Sequence, residues 1–211
     1  IWEPDDPNEA ALHITYAELQ KHVMRFANVL KAQGVKRGDR VTLYMPMIPE
    51  AAYAMLACTR IGAVHSIVFG GFSPEALKDR IQNAKCKALI TADEGVRGGR
   101  KVPLKENADK ALKDCPSVDT CIVVKRTGGK VNWEEGRDVC YTEATAAASA
   151  DCPAVPMDSE APLFILYTSG STGKPKGVVH THGGWLSGIT HTMRTVFNAN
   201  QDDCLYVIGD P

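Results

Sequence analysis

No two cysteines in this chain are spaced C-x-x-C; the seven present, at positions 58, 86, 115, 121, 140, 152 and 204, are odd in number and widely scattered. That argues against a secreted disulfide framework and against a zinc site, and leaves reduced, intracellular cysteines used as small core residues. An excess of charge is missing too: 24 Lys and Arg stand against 25 Asp and Glu. Nothing in that balance points to a nucleic acid or a membrane surface as partner. The most apolar stretch, residues 51–72, carries Arg60 and His65 in its middle, which argues against a membrane span. No secretory signal opens the chain, because "IWEPDDPNEA" is acidic and broken by proline where an apolar run would be needed. The expected location is therefore intracellular, in the cytoplasm. An initiator methionine is absent as well, so the chain is expected to be a piece of something longer. It shows neither an internal repeat nor a strong low-complexity segment. What remains is an ordinary soluble composition, 44% hydrophobic and 23% charged over 211 residues, enough for a real core.

Along the chain, helix and strand signals alternate. Thr15 and Glu18 form a capping-box pattern, followed by Leu19, Val23, Phe26, Ala27 and Leu30 at helical spacing, with Gly34 suited to end the helix. "RVTLYM" reads as a buried strand. Pro49 opens a helix to about Ile61, and "AVHSIVF" is the next strand. Ser73 and Pro74 suit the cap and first turn of a third helix. "KALITAD", "LKENADKALKD" and "VDTCIVVKR" continue as strand, helix and strand. Strands apolar at nearly every position, alternating with amphipathic helices, predict an α/β fold with a largely parallel sheet covered on both faces. Such sheets bind ligands beyond the carboxyl ends of their strands. Residues 126–160 differ: "RTGGKVNWEEGRD" reads as a hairpin or loop excursion, and "TEATAAASADCPAVPMDSEAP" as a linker. The expected division is a first α/β subdomain over 1–155 and the start of a second layer over 156–211.

Glycine, serine, threonine and lysine crowd into one place, "YTSGSTGKPKGVVHTHGG", residues 167–184. The apolar run "APLFILY" precedes it and the helix candidate "WLSGITHTMRTVF" follows. A polyphosphate needs inward-pointing N–H groups, small residues, hydroxyl donors and a cation. Gly170, Gly173 and Gly177 meet the first two needs; Thr168, Ser169, Ser171 and Thr172 supply hydroxyls, and Lys174 and Lys176 supply charge. A Walker loop is excluded because Gly173-Lys174 is followed by Pro175, and a nucleophile elbow because "GSTG" lacks the G-x-S-x-G spacing. The composition leaves a flexible linker and a phosphate cradle. Two lysines around a proline, between strand and helix, favour the cradle.

"YTSGSTGKPKG" resembles, without a gap, the phosphate signature of the acyl-adenylate-forming enzymes. Upstream, residues 14–81 and "ADEGVRGGRKVPLK" are similar to the acetyl-CoA synthetases within that family, so the likeness covers most of residues 13–200. The resemblance implies an acetate–CoA ligase: a carboxylate attacks the α-phosphate of Mg-ATP, and the thiol of CoA then displaces AMP. It implies that Thr168, Ser169, Gly170, Ser171, Thr172, Gly173, Lys174 and Lys176 hold the ATP phosphates. Departing pyrophosphate carries growing charge, so amides, hydroxyls and lysines matter most in the transition state. The implied partners are small molecules, namely ATP with Mg2+, acetate and CoA.

Two further stretches fall just after predicted strands. "FGGF" follows "HSIVF", and "EGVRGGR" follows "KALITAD". Paired glycines let a flat group come close, and two guanidiniums on one turn suit a phosphate monoester. By itself such a turn reads as a solvated basic loop, exposed arginines being common. The resemblance assigns Phe69, Gly70 and Gly71 to the CoA adenine surface and Arg97 and Arg100 to the CoA 3′-phosphate. His180 and His182 could share a strand face, but two ligands are too few for a metal. Trp2, Trp133 and Trp185 read as packing residues, and Asp5 and Asp6 as a solvated terminus.

The resemblance fades after Asp203. It implies that the acyl pocket, the adenine and ribose contacts, the magnesium carboxylate and the C-terminal domain with its catalytic lysine lie outside these residues. No catalytic residue is assigned here, and the chain is expected to be an internal fragment of the large N-terminal domain that does not complete catalysis alone. A propionyl-CoA synthetase fragment and a non-catalytic nucleotide- or CoA-binding protein stay open as alternatives.

Overall fold

The structure, a computed structural model, describes residues 1–4, 6, 8–168 and 175–207. Among the described residues six helices are formed: α1 (Tyr16–Ala32), α2 (Pro49–Ile61), α3 (Pro74–Ala84), α4 (Leu104–Leu112), α5 (Tyr141–Ala147) and α6 (His182–Thr195). The strands are β1 (Arg40–Tyr44), β2 (Val64–Ile67), β3 (Ala88–Ala92), β4 (Gly95–Arg97), β5 (Arg100–Val102), β6 (Thr120–Val124), β7 (Asp138–Cys140), β8 (Pro162–Thr168) and β9 (Lys176–Thr181). Seven strands make one sheet in the order β7-β6-β3-β1-β2-β8-β9, parallel throughout except for β8 with β9. The α/β architecture expected from the alternating pattern is the one observed.

The helix ends follow from their residues. Thr15 accepts the Glu18 N–H at 3.2 Å while the Thr15 N–H donates to the Glu18 carboxylate at 2.8 Å, a complete capping box. The Ser73 hydroxyl caps α3 by accepting the Ala76 N–H at 3.3 Å. Gly62, with φ of 73°, ends α2 in the left-handed conformation that a side chain disfavours.

The chain steps from β1 to β2 on one side of β1, then back across β1 to β3 and on to β6. Right-handed crossovers in opposite directions put their helices on opposite faces of a sheet. Accordingly α1 packs on α2 and α5, while α3 packs on α4. Both faces of the middle strands are thereby covered, and every residue of β3 and β6 is buried.

Residues 126–160 correct the sequence expectation. The excursion ends in a parallel edge strand, β7, paired to β6 through Cys121↔Asp138 and Val123↔Cys140. The stretch read as a linker begins with α5, whose Tyr141 meets Phe26 edge-on at 4.9 Å. Tyr141 is the one buried residue of α5, so no apolar period existed to be read. A buried charge network holds the excursion down. Lys105, fully buried, reaches Asp109 at 2.6 Å, Asp138 at 2.8 Å and the Asn132 carbonyl at 3.0 Å, and Arg137 reaches Asp138 at 2.8 Å. Burial opposes the charge on Asp138, but Arg137, the Glu134 N–H and Lys105 outweigh it and hold its carboxyl below the usual value.

Candidate functional site

Four neighbouring parallel strands, β6, β3, β1 and β2, end at the same edge of the sheet. The residues just beyond them converge on a cavity of about 290 Å³. Phe69, Gly70 and Gly71 come from the end of β2, Met45 to Met47 from β1, Gly95 to Gly98 from the β3 side, and Arg126 from β6. This is also where the strand order reverses, the position at which open α/β sheets take their ligands. Close approach is built into its floor. A Cβ at Gly70 would lie 3.3 Å from Leu104 and 3.5 Å from the Met45 carbonyl, and one at Gly71 would run into the Phe69 ring.

One wall is the antiparallel β4–β5 hairpin. Its two-residue turn, Gly98-Gly99, has φ of 55° and 72°, the pair of positive angles that a type I′ turn demands. The turn sets Arg97 directly opposite Arg100. Like charges opposite one another destabilise a strand pair, and an anion between them relieves that. The Arg97 guanidinium lies over the Phe69 ring at 4.6 Å, and Phe69 meets Phe72 edge-on at 5.5 Å. Thus Phe69, Gly70, Gly71 and Arg97 are brought together on one cavity, whose lining does not include Arg100.

The hairpin is anchored at Glu94. Its carboxylate pairs with Lys101 at 2.7 Å and accepts a short hydrogen bond from the Thr127 hydroxyl. These two contacts, Lys101 first, hold the Glu94 carboxyl below its usual range. Asp93, 1% exposed, organises the adjacent corner. Its carboxylate accepts the N–H groups of Glu94 at 2.7 Å, Arg126 at 2.8 Å, Thr127 at 3.2 Å and Gly128 at 2.9 Å. Arg126 was missed by the sequence reading, although it too lies just past a parallel strand, the one signal that could have found it. Half-burial lowers its guanidinium pKa through desolvation.

Of the phosphate-loop residues, Ser169, Gly170, Ser171, Thr172, Gly173 and Lys174 lie outside the described residues. Thr168 and Lys176 are described, and face each other across β8 and β9. The end of β8 is tied to α3 by the Tyr167 hydroxyl, which donates to Asn83 at 2.7 Å. Strand β9 stops at Thr181, so His180 and His182 do not share a strand: His180 stacks on Phe164 at 4.5 Å and His182 starts α6. Among the described residues no group of three His, Cys, Asp or Glu could hold a metal ion. Trp2 packs against the core, Trp133 sits near Lys125, and Trp185 meets Phe164 edge-on.

The fold is that of an α/β domain with a cavity at a strand-order reversal. The family model for "AMP-binding enzyme" matches residues 5–210, and the chain belongs to that family. It is 64% identical over 210 residues to "Acetyl-coenzyme A synthetase 2" of Pseudomonas aeruginosa and 64% identical to "Acetyl-coenzyme A synthetase" of Alkalilimnicola ehrlichii. Each match takes in 100% of this chain and 32% of the relative, so the chain spans about a third of the length of these curated proteins. A solved structure, "Acetoacetyl-CoA Synthetase from Streptomyces lividans", superposes with a TM-score of 0.82 at 29% identity, over 90% of this chain and 29% of that one.

Proposed function

We propose that this chain is part of an AMP-forming acyl-CoA synthetase of the acetate–CoA ligase type, and that the cavity at the carboxyl ends of β6, β3, β1 and β2 receives CoA. The observation that carries the reading is the convergence of Phe69, Gly70, Gly71 and Arg97 on that cavity. An aromatic face beside paired glycines suits the flat adenine, and Arg97, with Arg100 opposite it on the hairpin, suits the 3′-phosphate. The names and identities of the relatives support the acetate reading over the propionate one.

The loop from Thr168 to Lys176 is read as the cradle of the ATP β- and γ-phosphates. Hydroxyls and lysines there would stabilise charge as pyrophosphate departs and acetyl-AMP forms. Mg2+ is read as held mainly by those phosphates and by residues outside this chain. The division into a subdomain over 1–155 and a further layer from 156 belongs to the same proposal. So does a cytoplasmic location: all seven cysteines are free and six are buried. Burial pushes the Cys58 and Cys121 thiols up to about 12, which makes them inert packing residues.

Titration calorimetry of CoA against the wild-type chain and Arg97→Ala/Arg100→Ala tests the reading, after circular dichroism has verified both folds. Losing a charge-assisted phosphate contact costs roughly 1.5–3 kcal/mol, a drop of more than tenfold in affinity. Equal affinity in the two proteins would refute the assignment of the hairpin arginines.

A further inference from the structure

We infer that Arg126 is a further phosphate-binding residue of the same cavity, acting on the same phosphorylated ligand as Arg97; this rests on reading the cavity as the CoA site. Position is the first reason. Loops from β2, β1 and β3 supply the aromatic, the glycines and Arg97, and β6 completes the set of four adjacent strand ends with Arg126. A ligand seated where the strand order reverses is within reach of all four.

Pre-organisation is the second. A long cation loses rotamer freedom on binding, and less when its backbone is already fixed. The Arg126 N–H donates to Asp93 at 2.8 Å, and the next two N–H groups, of Thr127 and Gly128, go to the same carboxylate. Asp93 also takes the Glu94 N–H at 2.7 Å, while Glu94 holds Lys101. One buried carboxylate therefore fixes both the start of the Arg97 hairpin and the backbone of Arg126.

Environment is the third. Met45, Leu104 and Val102 line the cavity beside Arg126, and its guanidinium is partly desolvated. An anion meeting a cation in such surroundings is screened less than on an open surface. CoA carries phosphate at two places, the 3′-monoester and the diphosphate bridge, and both present the same oxygens to a guanidinium.

Calorimetry with CoA and with 3′-dephospho-CoA, on wild type, Arg126→Ala, Arg126→Lys and Arg97→Ala/Arg100→Ala, separates the outcomes. Arg126→Ala is expected to bind CoA more than tenfold more weakly, with part of the loss recovered in Arg126→Lys. A loss seen with CoA but not with dephospho-CoA puts the contact on the 3′-phosphate; a loss with both puts it on the diphosphate. If Arg126→Ala binds CoA like wild type while the hairpin double variant does not, the role of Arg126 is overturned and the CoA site stands. If the folded wild type binds no CoA, both fall together. Arg126→Gln, which keeps the length of the side chain, replaces the alanine variant should that fail to fold, and the same tenfold criterion applies to it.

Discussion

Strands β3 and β6 and the unit formed by β9 and α6 are alike in apolar character and opposite in cover. Every residue of β3 and β6 is buried. No residue of α6 is buried, and Leu186, Val179 and Val178 are 66%, 55% and 45% exposed. Beyond α6, Val196 and Phe197 are 72% and 59% exposed. Among the described residues nothing covers this face. Periodicity thus states which residues require cover, and the neighbours that supply it are a separate matter.

Removing atoms from the covered side should have the largest effect. Ile122→Ala in β6, at a site with no exposure, is expected to lose about 2–5 kcal/mol in urea unfolding, because the cavity left behind adds to the lost transfer energy. A loss well below 1 kcal/mol there would break the contrast between the two regions.

The boundary between them should respond to acid. His65 on β2 lies 5.5 Å from Phe164 on β8, and burial, with a smaller contribution from His182, lowers its pKa from 6.5 to about 4. Burial lowers the pKa of His182 as well. In the unfolded chain the imidazole takes its proton at about 6.5, so between these two values protons favour unfolding. Stability is then complete above 6.5 and falls as the pH drops toward 4, by about 3 kcal/mol at most. Urea titrations across that window should show a shallower slope in His65→Gln; an unchanged slope would mean that His65 does not titrate there.

The smallest effect belongs to the open side. Leu186→Ser should stay within about 0.5 kcal/mol of wild type in the same assay while raising solubility. A loss comparable to that of Ile122→Ala would show that α6 is covered in solution and that the contrast is false.

The covered half was also the more legible one. Helix α1 announced itself through Thr15, Glu18 and its periodic apolar residues, and β3 through an unbroken apolar run. Position after a parallel strand drew attention to Phe69 to Gly71 and Arg97, while the proposed ligand for them came from the family resemblance. The residues that escaped are fixed by distant partners. Tyr141 is buried by Phe26, and Asp138 by Lys105; neither pairing leaves a local trace in the sequence. Arg126 shares that position past a strand but stands alone there, and the partner that fixes its backbone, Asp93, lies 33 residues earlier. For the loop proposed to hold phosphate the reverse holds: its residue types carry the signal, while six of its members lie outside the described residues.

The Asp93 corner has a consequence for the order in which the molecule is made. Its carboxylate on one strand end waits for N–H groups as far as Gly128, 35 positions further along. Contacts of such long separation form late, because the intervening loop must be closed before they reward the chain. A chain emerging from the ribosome would therefore display the arginine hairpin before its supporting corner exists. The Arg126 side of the cavity is in place only once β6 has joined β3, before β7, β8 and β9 have been made and added to the sheet.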